Sequence, residues 1–165
     1  MANNVKKEFE LYEPMRIWLQ KYLEDKYKGA KVTTIDSHAR TLDIFLETHG
    51  VIDKYPQTVG LDIQIDVLGI IEKNGKTDIS FIEAKKTQLN LHDLGQLWAY
   101  CKLCDPLEAF LLSSSGIGSL NKILNNFSRE DLLDFGDGRR IKKMQVGKWD
   151  LNTNSIDFKS LVPKL

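Results

Sequence analysis

Three ionisable residues near the middle of the chain, Asp66, Glu83 and Lys85, have the types and the spacing that metal-assisted hydrolysis requires. They lie on two β-rich runs, and the dipeptide Asn74-Gly75 separates these runs. Because both residues of this dipeptide tolerate a positive φ, the pattern predicts a β-hairpin with a two-residue type I′ turn.

The predicted turn also fixes which residues of the two strands face each other. Counting back from it, Asp66 lies opposite Glu83 in a non-hydrogen-bonded pair, whose Cβ atoms are about 4.5–5.5 Å apart. Lys85 lies two residues beyond Glu83 and therefore on the same face of the sheet. Gly69 leaves one alternative open, since a β-bulge at this glycine would shift the pairing and turn Asp66 away.

Two facing carboxylates repel each other, and a divalent cation between them removes the repulsion. Mg²⁺ takes oxygen ligands and is usually held by one or two carboxylates together with substrate phosphate. Such an ion activates a water and neutralises charge on a phosphodiester, while Lys85 orients the nucleophile or stabilises the transition state. The alternative is an exposed hairpin edge with scattered charges.

The order of Asp66 on one strand and Glu83-Ala84-Lys85 on the next resembles the PD-(D/E)xK nuclease superfamily, although Ile65 stands where the pattern has proline. The resemblance implies an α/β fold with a restriction-endonuclease-like core, in which helices flank a central mixed β-sheet. It also implies a bound Mg²⁺, for which Mn²⁺ substitutes, held by Asp66, Glu83 and the main-chain carbonyl of Ala84. Lys85 would then assist the attacking water.

A helix is predicted directly after this strand, over residues 91–103, with Asn90 as its N-cap. Gln96 and Tyr100 are four residues apart and are therefore neighbours on its surface, directed at the site or at the DNA backbone. The spacing resembles the Q-x-x-x-Y motif of RecB-like members of the superfamily, which implies that the pair orients the site. The alternative is an ordinary tyrosine on a helix face.

A first helix is predicted over residues 6–28, and it ends at Gly29. Pro14 suits the first turn of the main helix, with a short irregular or helical segment before it. The family resemblance implies an acidic residue on this helix near the metal, which is Glu13 or Glu8, with a slight preference for Glu13. A solvated glutamate on the helix face is the alternative for both.

The remaining pattern alternates strands and helices, as expected of an α/β protein. Expected elements are a strand at 31–35, a helix capped by Asp36 or Ser37 and ending near Thr48, a buried parallel strand at 107–113, a helix at 120–127, and a strand at 139–151 paired with 156–158. The Gly-rich segment at 113–119 is interpreted as a plain turn rather than a phosphate loop.

The densest basic cluster of the chain is Arg139, Arg140, Lys142 and Lys143. It either clamps DNA phosphates or forms a solvated hairpin face, and the pattern does not favour one over the other. Lys86, next to the predicted site, is a further candidate DNA contact.

Length and composition favour a single domain over residues 1–165, with 42% apolar and 28% charged residues. The 23 basic and 23 acidic residues balance, whereas a stand-alone DNA binder carries a basic excess, so tight DNA binding is expected to need a partner. No apolar run has membrane-spanning length, which predicts a cytoplasmic protein without a membrane partner. Cys101 and Cys104 are expected to be buried thiols.

The expected function is therefore that of a metal-dependent deoxyribonuclease. The chain would be an endonuclease that hydrolyses phosphodiester bonds of double-stranded DNA, as the strand-cleaving or nicking subunit of a restriction system. A DNA-recognition subunit or a second copy would complete it. The alternatives are a RecB-like exonuclease, a junction-resolving nuclease of DNA repair, and a non-catalytic DNA-binding or assembly module of the same fold.

Overall fold

The computed structural model describes residues 5–137 and 139–164, and a six-stranded mixed β-sheet forms its centre. The α-helices are α1 (Tyr12–Lys26), α2 (Leu42–Thr48) and α3 (Leu91–Cys104). The strands are β1 (Lys31–Asp36), β2 (Val67–Lys73), β3 (Lys76–Lys85), β4 (Glu108–Ser113), β5 (Asp134–Gly136), β6 (Ile141–Lys143), β7 (Gln145–Asp150) and β8 (Ser155–Val162). The central sheet has the order β1-β2-β3-β4-β7-β8, while β5 and β6 pair separately. The predicted α/β class with a mixed central sheet is confirmed.

The β2–β3 hairpin has the predicted register. Asn74 and Gly75 have φ values of 53° and 74°, as a type I′ turn needs, and the antiparallel pairing runs without a shift from Lys73–Lys76 to Val67–Ile82. Gly69 pairs regularly with Ser80 and forms no bulge. Its role is close packing, because a Cβ atom at Gly69 would lie 2.8 Å from Leu23 Cδ1 of α1.

The helices cover the two faces of the sheet. Helix α1 packs its buried residues against one face, which includes Ile82 and Ala84 of β3. Helices α2 and α3 cover the other face, which includes Phe81. Because side chains alternate along a strand, Glu83 and Lys85 lie on the face of Phe81, toward α3.

Strand β4 is buried along its whole length and runs parallel to β3 and to β7, as predicted for residues 107–113. The carboxyl ends of β3 and β4 therefore lie at the same edge of the sheet. In open α/β sheets this edge is where ligands bind. The loop after β4 begins here, since the backbone N–H of Ser114 donates to the carbonyl of Lys85.

The first helix follows the prediction closely. A 3₁₀ helix, Glu8–Leu11, leads into α1, and Pro14 lies in the first turn of α1. The predicted N-caps of α2 are wrong, because α2 begins at Leu42, with Thr41 in the N-cap position. The side chain of Ser37 donates instead to the carbonyl of Ile65.

Two predictions for the C-terminal part need correction. The single strand expected at 139–151 is broken into β6 and β7 at Met144, which is buried and donates its N–H to the carbonyl of Leu133. The helix expected at 120–127 contains a π-helix, Lys122–Asn126. The expected pairing of this region with residues 156–158 is confirmed, although the turn lies at 151–154 rather than at the predicted 152–155, and β8 is longer than predicted.

The thiols of Cys101 and Cys104 are free and buried in α3. In the part of the chain that the structure describes, no helix has both the length and the apolarity needed to cross a bilayer.

Candidate metal centre

Asp66 and Glu83 face each other at the carboxyl end of β3. Val67 pairs with Ile82, so the preceding residue, Asp66, lies opposite Glu83. The backbone N–H of Ala84 donates a hydrogen bond of 2.8 Å to Asp66 Oδ2. Lys85 Nζ lies 3.7 Å from Glu83 Oε1. The structure therefore brings together all three residues that the hairpin pattern selects.

Burial shifts the pKa values of the two carboxyl groups in this cluster. The side chain of Glu83 is 8% exposed and that of Lys85 is 21% exposed. Burial, followed by the charge of Asp66, raises the pKa of Glu83 to about 8. Burial also raises the pKa of Asp66. Without a cation, the two carboxyl groups consequently hold a proton at neutral pH that isolated carboxyl groups would have lost.

Lys85 stays a cation in this environment. Burial by itself lowers its pKa, but the charges of Glu83, Glu8 and Asp93 together outweigh burial and raise the pKa of Lys85 above its ordinary value. Its ammonium group is therefore a hydrogen-bond donor at neutral pH and does not act as a base.

One oxygen of the cluster is left for a ligand. Glu83 Oε2 is buried and accepts no hydrogen bond from the described residues, and the side-chain contact of Glu83 with Asp66 is favourable only while one of the two carboxyl groups carries a proton, which is costly at neutral pH. Within residues 5–137 and 139–164, no group of three or more His, Cys, Asp or Glu side chains is placed to share one metal ion. Two carboxylates suffice for Mg²⁺, which retains waters and takes phosphate oxygens as further ligands. The residues fit an open magnesium site of this kind.

The acidic residue that reaches the cluster from the N-terminal segment is Glu8. Its Oε2 accepts a 3.2 Å hydrogen bond from the backbone N–H of Lys86, and its charge raises the pKa of both Asp66 and Glu83. Glu13, which the sequence slightly favours, is 59% exposed and pairs through both oxygens with Arg16. Its place in the site is therefore corrected in favour of Glu8, because Glu8 bonds to Lys86 directly after β3, whereas Glu13 is held by Arg16.

Gln96 and Tyr100 are neighbours, as expected, since Gln96 Nε2 donates to the Tyr100 hydroxyl at 3.4 Å. At 100° per residue they lie on the same side of α3 as Asp93, which interacts with Lys85. Tyr100 follows Asp93 by seven residues, which is about 10 Å along the helix axis. Its ring packs against the core between α3 and the sheet. The described contacts of the pair do not include the carboxylate cluster.

Two members of the cluster were not selected from the sequence. Tyr12 is buried, and burial together with the charges of Asp66 and Glu8 raises the pKa of its hydroxyl. Asp93 lies at the start of α3, where its side chain and that of Asn90 form reciprocal capping hydrogen bonds. Two sequence signals could have identified them. Tyr12 and Met15 continue the apolar stripe of the first helix, and Asp93 follows Asn90 at the three-residue spacing of a capping box.

The basic cluster near residue 140 does not lie at this edge of the sheet. Lys142 Nζ pairs with Asp105 Oδ1 at 2.9 Å, and Lys143 pairs with Asp134. Arg140 lines a cavity beside the turn of the β2–β3 hairpin. Strand β3 spans ten residues, so at about 3.3 Å per residue its two ends are roughly 30 Å apart.

Arg139 is exposed and lies in the same turn as Arg140. Arg140, beside the hairpin turn, and Lys142, paired with Asp105 directly before β4, therefore lie far from a phosphate bound at Asp66 and Glu83. Lys86 does adjoin the carboxylates, although its Nζ atom donates to the carbonyl of Lys6 at 3.2 Å.

Comparisons of the chain with protein-family models, with curated proteins and with solved structures give no match.

Proposed function

We propose that the chain is a Mg²⁺-dependent DNA endonuclease of the PD-(D/E)xK type, built on a restriction-endonuclease-like core. The observation that carries the proposal is the convergence of Asp66, Glu83 and Lys85 at one edge of the sheet, with Glu83 Oε2 buried and unpartnered among the described residues. Two buried carboxylates that face each other destabilise the folded chain. A divalent cation bound between them removes this repulsion.

Asp66, Glu83 and the carbonyl oxygen of Ala84 would hold the ion, and Mn²⁺ would substitute for Mg²⁺. In an antiparallel ladder the N–H and C=O groups of one residue point to the same neighbouring strand. Because the N–H of Ala84 points to Asp66, its carbonyl oxygen is directed to the same side. When bound, the ion would lower the pKa of a water ligand and neutralise charge on the phosphodiester.

Lys85 would position the attacking water and donate to the phosphate oxygens, where negative charge grows in the transition state. This role follows from its charge, because the surrounding carboxylates raise its pKa. Glu8 would act beside Lys85 through its charge and hold the end of β3 through its bond to Lys86. Gln96 and Tyr100 would orient the strand of DNA that approaches along α3.

The substrate assignment is double-stranded DNA, cut within a restriction system. A formal net charge of zero gives the chain little non-specific attraction for DNA. We therefore propose that a DNA-recognition subunit or a second copy delivers the duplex, so that cleavage depends on this partner.

Cleavage of supercoiled plasmid in Mg²⁺ tests the proposal. The wild-type chain and its Glu83→Ala and Lys85→Ala variants would each be assayed alone and with the large protein encoded nearest to it. Nicked or linear products from the wild type, lost in both variants and kept in Glu13→Gln, are expected. An exonuclease would degrade linear DNA and leave the closed circle intact. A wild type as inert as Glu83→Ala under every condition, including Mn²⁺, would overturn the proposal in favour of a non-catalytic module.

A further inference from the structure

A second candidate site lies at the opposite end of the sheet from the carboxylates. A cavity of about 520 Å³, a volume typical of small-ligand sites, is present here. It lies between the C-terminal end of α1, the turn of the β2–β3 hairpin and the segment before β6. The residues that matter in its lining are Tyr27, Ile71, Lys73, Lys76, Asp78 and Arg140.

Positive charge converges on this cavity. Lys73 and Lys76 are directly opposite each other in the hairpin, and like charges in this position destabilise a sheet. Arg140 adds a third cation from another segment of the chain, while Asp78 is the acidic residue of the lining. An anion bound between the three cations would remove their repulsion, just as a cation would at the other end of the sheet.

The cations keep donors available for such an anion. Lys73 Nζ uses one of its three donors on the carbonyl of Lys28, at 2.8 Å. Lys76 Nζ lies 3.9 Å from Asp78 Oδ2, which is a loose ion pair. Three cations match a phosphate monoester, which carries a charge of about −1.5 to −2 at pH 7 and offers three acceptor oxygens. Arg140 is suited to bidentate phosphate binding.

The cavity is larger than a phosphate ion requires, and its other walls have a different character. Ile71, Leu107 and the ring of Tyr27 provide apolar surface, on which a planar base can pack. The carboxylate of Asp78 can accept hydrogen bonds from the sugar hydroxyls of a free nucleotide, whereas the 5′-terminal sugar of a DNA strand offers none. We propose that the cavity binds a nucleoside 5′-phosphate, either as a free nucleotide or as the phosphorylated end of a DNA strand.

Calorimetric titration of the full chain tests this proposal. The probes are adenosine 5′-monophosphate, inorganic phosphate, and an oligonucleotide with and without a 5′-phosphate. The monophosphate is expected to bind, and Lys76→Gln and Arg140→Ala are each expected to weaken its binding about tenfold, which corresponds to the loss of a charged contact. Lys31→Ala is the matched control, because Lys31 pairs with Glu72 on β1 and β2 and does not belong to the lining.

The relative affinities of these probes show whether the cavity binds a nucleotide and from which source. Tighter binding of the phosphorylated oligonucleotide than of both the monophosphate and the unphosphorylated strand would identify a DNA end as the source. No binding of the monophosphate, or binding that both variants leave unchanged, would overturn the proposal. Equal affinities for inorganic phosphate and the monophosphate would overturn its nucleoside part. Lys76→Gln removes a lysine whose side chain is 75% exposed, so the variant is expected to fold, and matching thermal unfolding verifies this.

The site is independent of the proposed nuclease centre. Glu83→Gln is expected to bind the monophosphate as the wild type does, because the two ends of β3 are roughly 30 Å apart. A chain without nuclease activity could therefore still bind the nucleotide, and an active nuclease could fail to bind it.

Discussion

Asp66 Oδ2 accepts a 2.8 Å hydrogen bond from the backbone N–H of Ala84, so the strand that carries Glu83 also orients the acid that faces it. This bond ties the carboxylate pair to the backbone of β3 and gives Asp66 both a structural and a proposed chemical role. The two roles can be separated by substitution.

Asp66→Asn is expected to keep the hydrogen bond, because the amide oxygen can still accept from Ala84, while it removes the charge that a metal ion needs. Asp66→Ala leaves the Ala84 N–H without its partner and should lower the free energy of unfolding by about 1–3 kcal/mol. Urea unfolding and Mg²⁺-dependent cleavage of both variants check this. Both should lose at least about 100-fold in cleavage, as expected when a main electrostatic contributor to catalysis is removed. An active Asp66→Asn variant would contradict the assignment of Asp66 as a metal ligand.

The raised pKa of Glu83 predicts how stability depends on pH. Its pKa rises from 4.5 to about 8 on folding, so between these values the folded state binds more protons than the unfolded state. The free energy of unfolding therefore falls as pH rises through this range, by a few kcal/mol at roughly 1.4 kcal/mol per pKa unit.

Glu83→Gln should lose this contribution to the pH dependence. Measured in EDTA, its unfolding free energy relative to the wild type should increase between pH 5 and pH 8.5. Glu13→Gln is the control, because Glu13 is exposed and Arg16 lowers the pKa of its carboxyl group. Parallel pH profiles for the wild type and Glu83→Gln would show that Glu83 is not buried beside a second carboxylate.

Glu8 and Glu13 form a matched pair for testing the N-terminal contribution. Glu8 interacts with Lys85 and with both carboxylates, whereas Glu13 interacts with Arg16. Glu8→Gln should weaken Mn²⁺ binding several-fold, because it removes negative charge next to the site, and Glu13→Gln should leave the affinity unchanged. The same affinity in all three proteins would exclude a contribution of Glu8 to the metal site.

Gly69 provides a test of packing behind the hairpin. A Cβ atom there would lie 2.8 Å from Leu23 Cδ1 and 3.3 Å from Ser80 Cβ. Gly69→Ala should therefore cost about 1–3 kcal/mol in the free energy of unfolding.

Gly95 in α3 is the matched control. Among the described residues no atom lies within 4 Å of its added Cβ, so Gly95→Ala should stabilise the helix by about 0.5–1 kcal/mol. Thermal or urea unfolding measures both. An unchanged stability of Gly69→Ala would mean that α1 moves away from β2 without cost.

The hairpin and its carboxylate pair could be predicted because they depend on local signals. The Asn74-Gly75 turn determines the register, and the register places Asp66 opposite Glu83 without knowledge of the rest of the fold. The buried strand β4 was likewise evident from its continuous apolar run.

The features that the sequence did not reveal depend on tertiary contacts. The slight preference for Glu13 followed from its position at the start of the main helix, whereas the 3₁₀ turn before that helix carries Glu8 to Lys86, 78 positions away in the chain. In the basic cluster, Lys142 pairs with Asp105, 37 positions away, and Lys143 pairs with Asp134 on the adjacent strand β5. No local sequence pattern predicts these ion pairs.

Mn²⁺ binding by the isolated chain is the decisive test of a metal centre at Asp66 and Glu83, because it does not depend on finding a DNA partner. Titration of the wild-type chain with Mn²⁺, followed by the loss of the free Mn²⁺ signal in electron paramagnetic resonance, is expected to show a saturable site from which Mg²⁺ displaces Mn²⁺. Asp66→Asn and Glu83→Gln are each expected to abolish this site, while Glu13→Gln retains it. Mn²⁺ binding that is absent from the folded wild type, or equal in all four proteins, would show that Asp66 and Glu83 do not hold a metal ion.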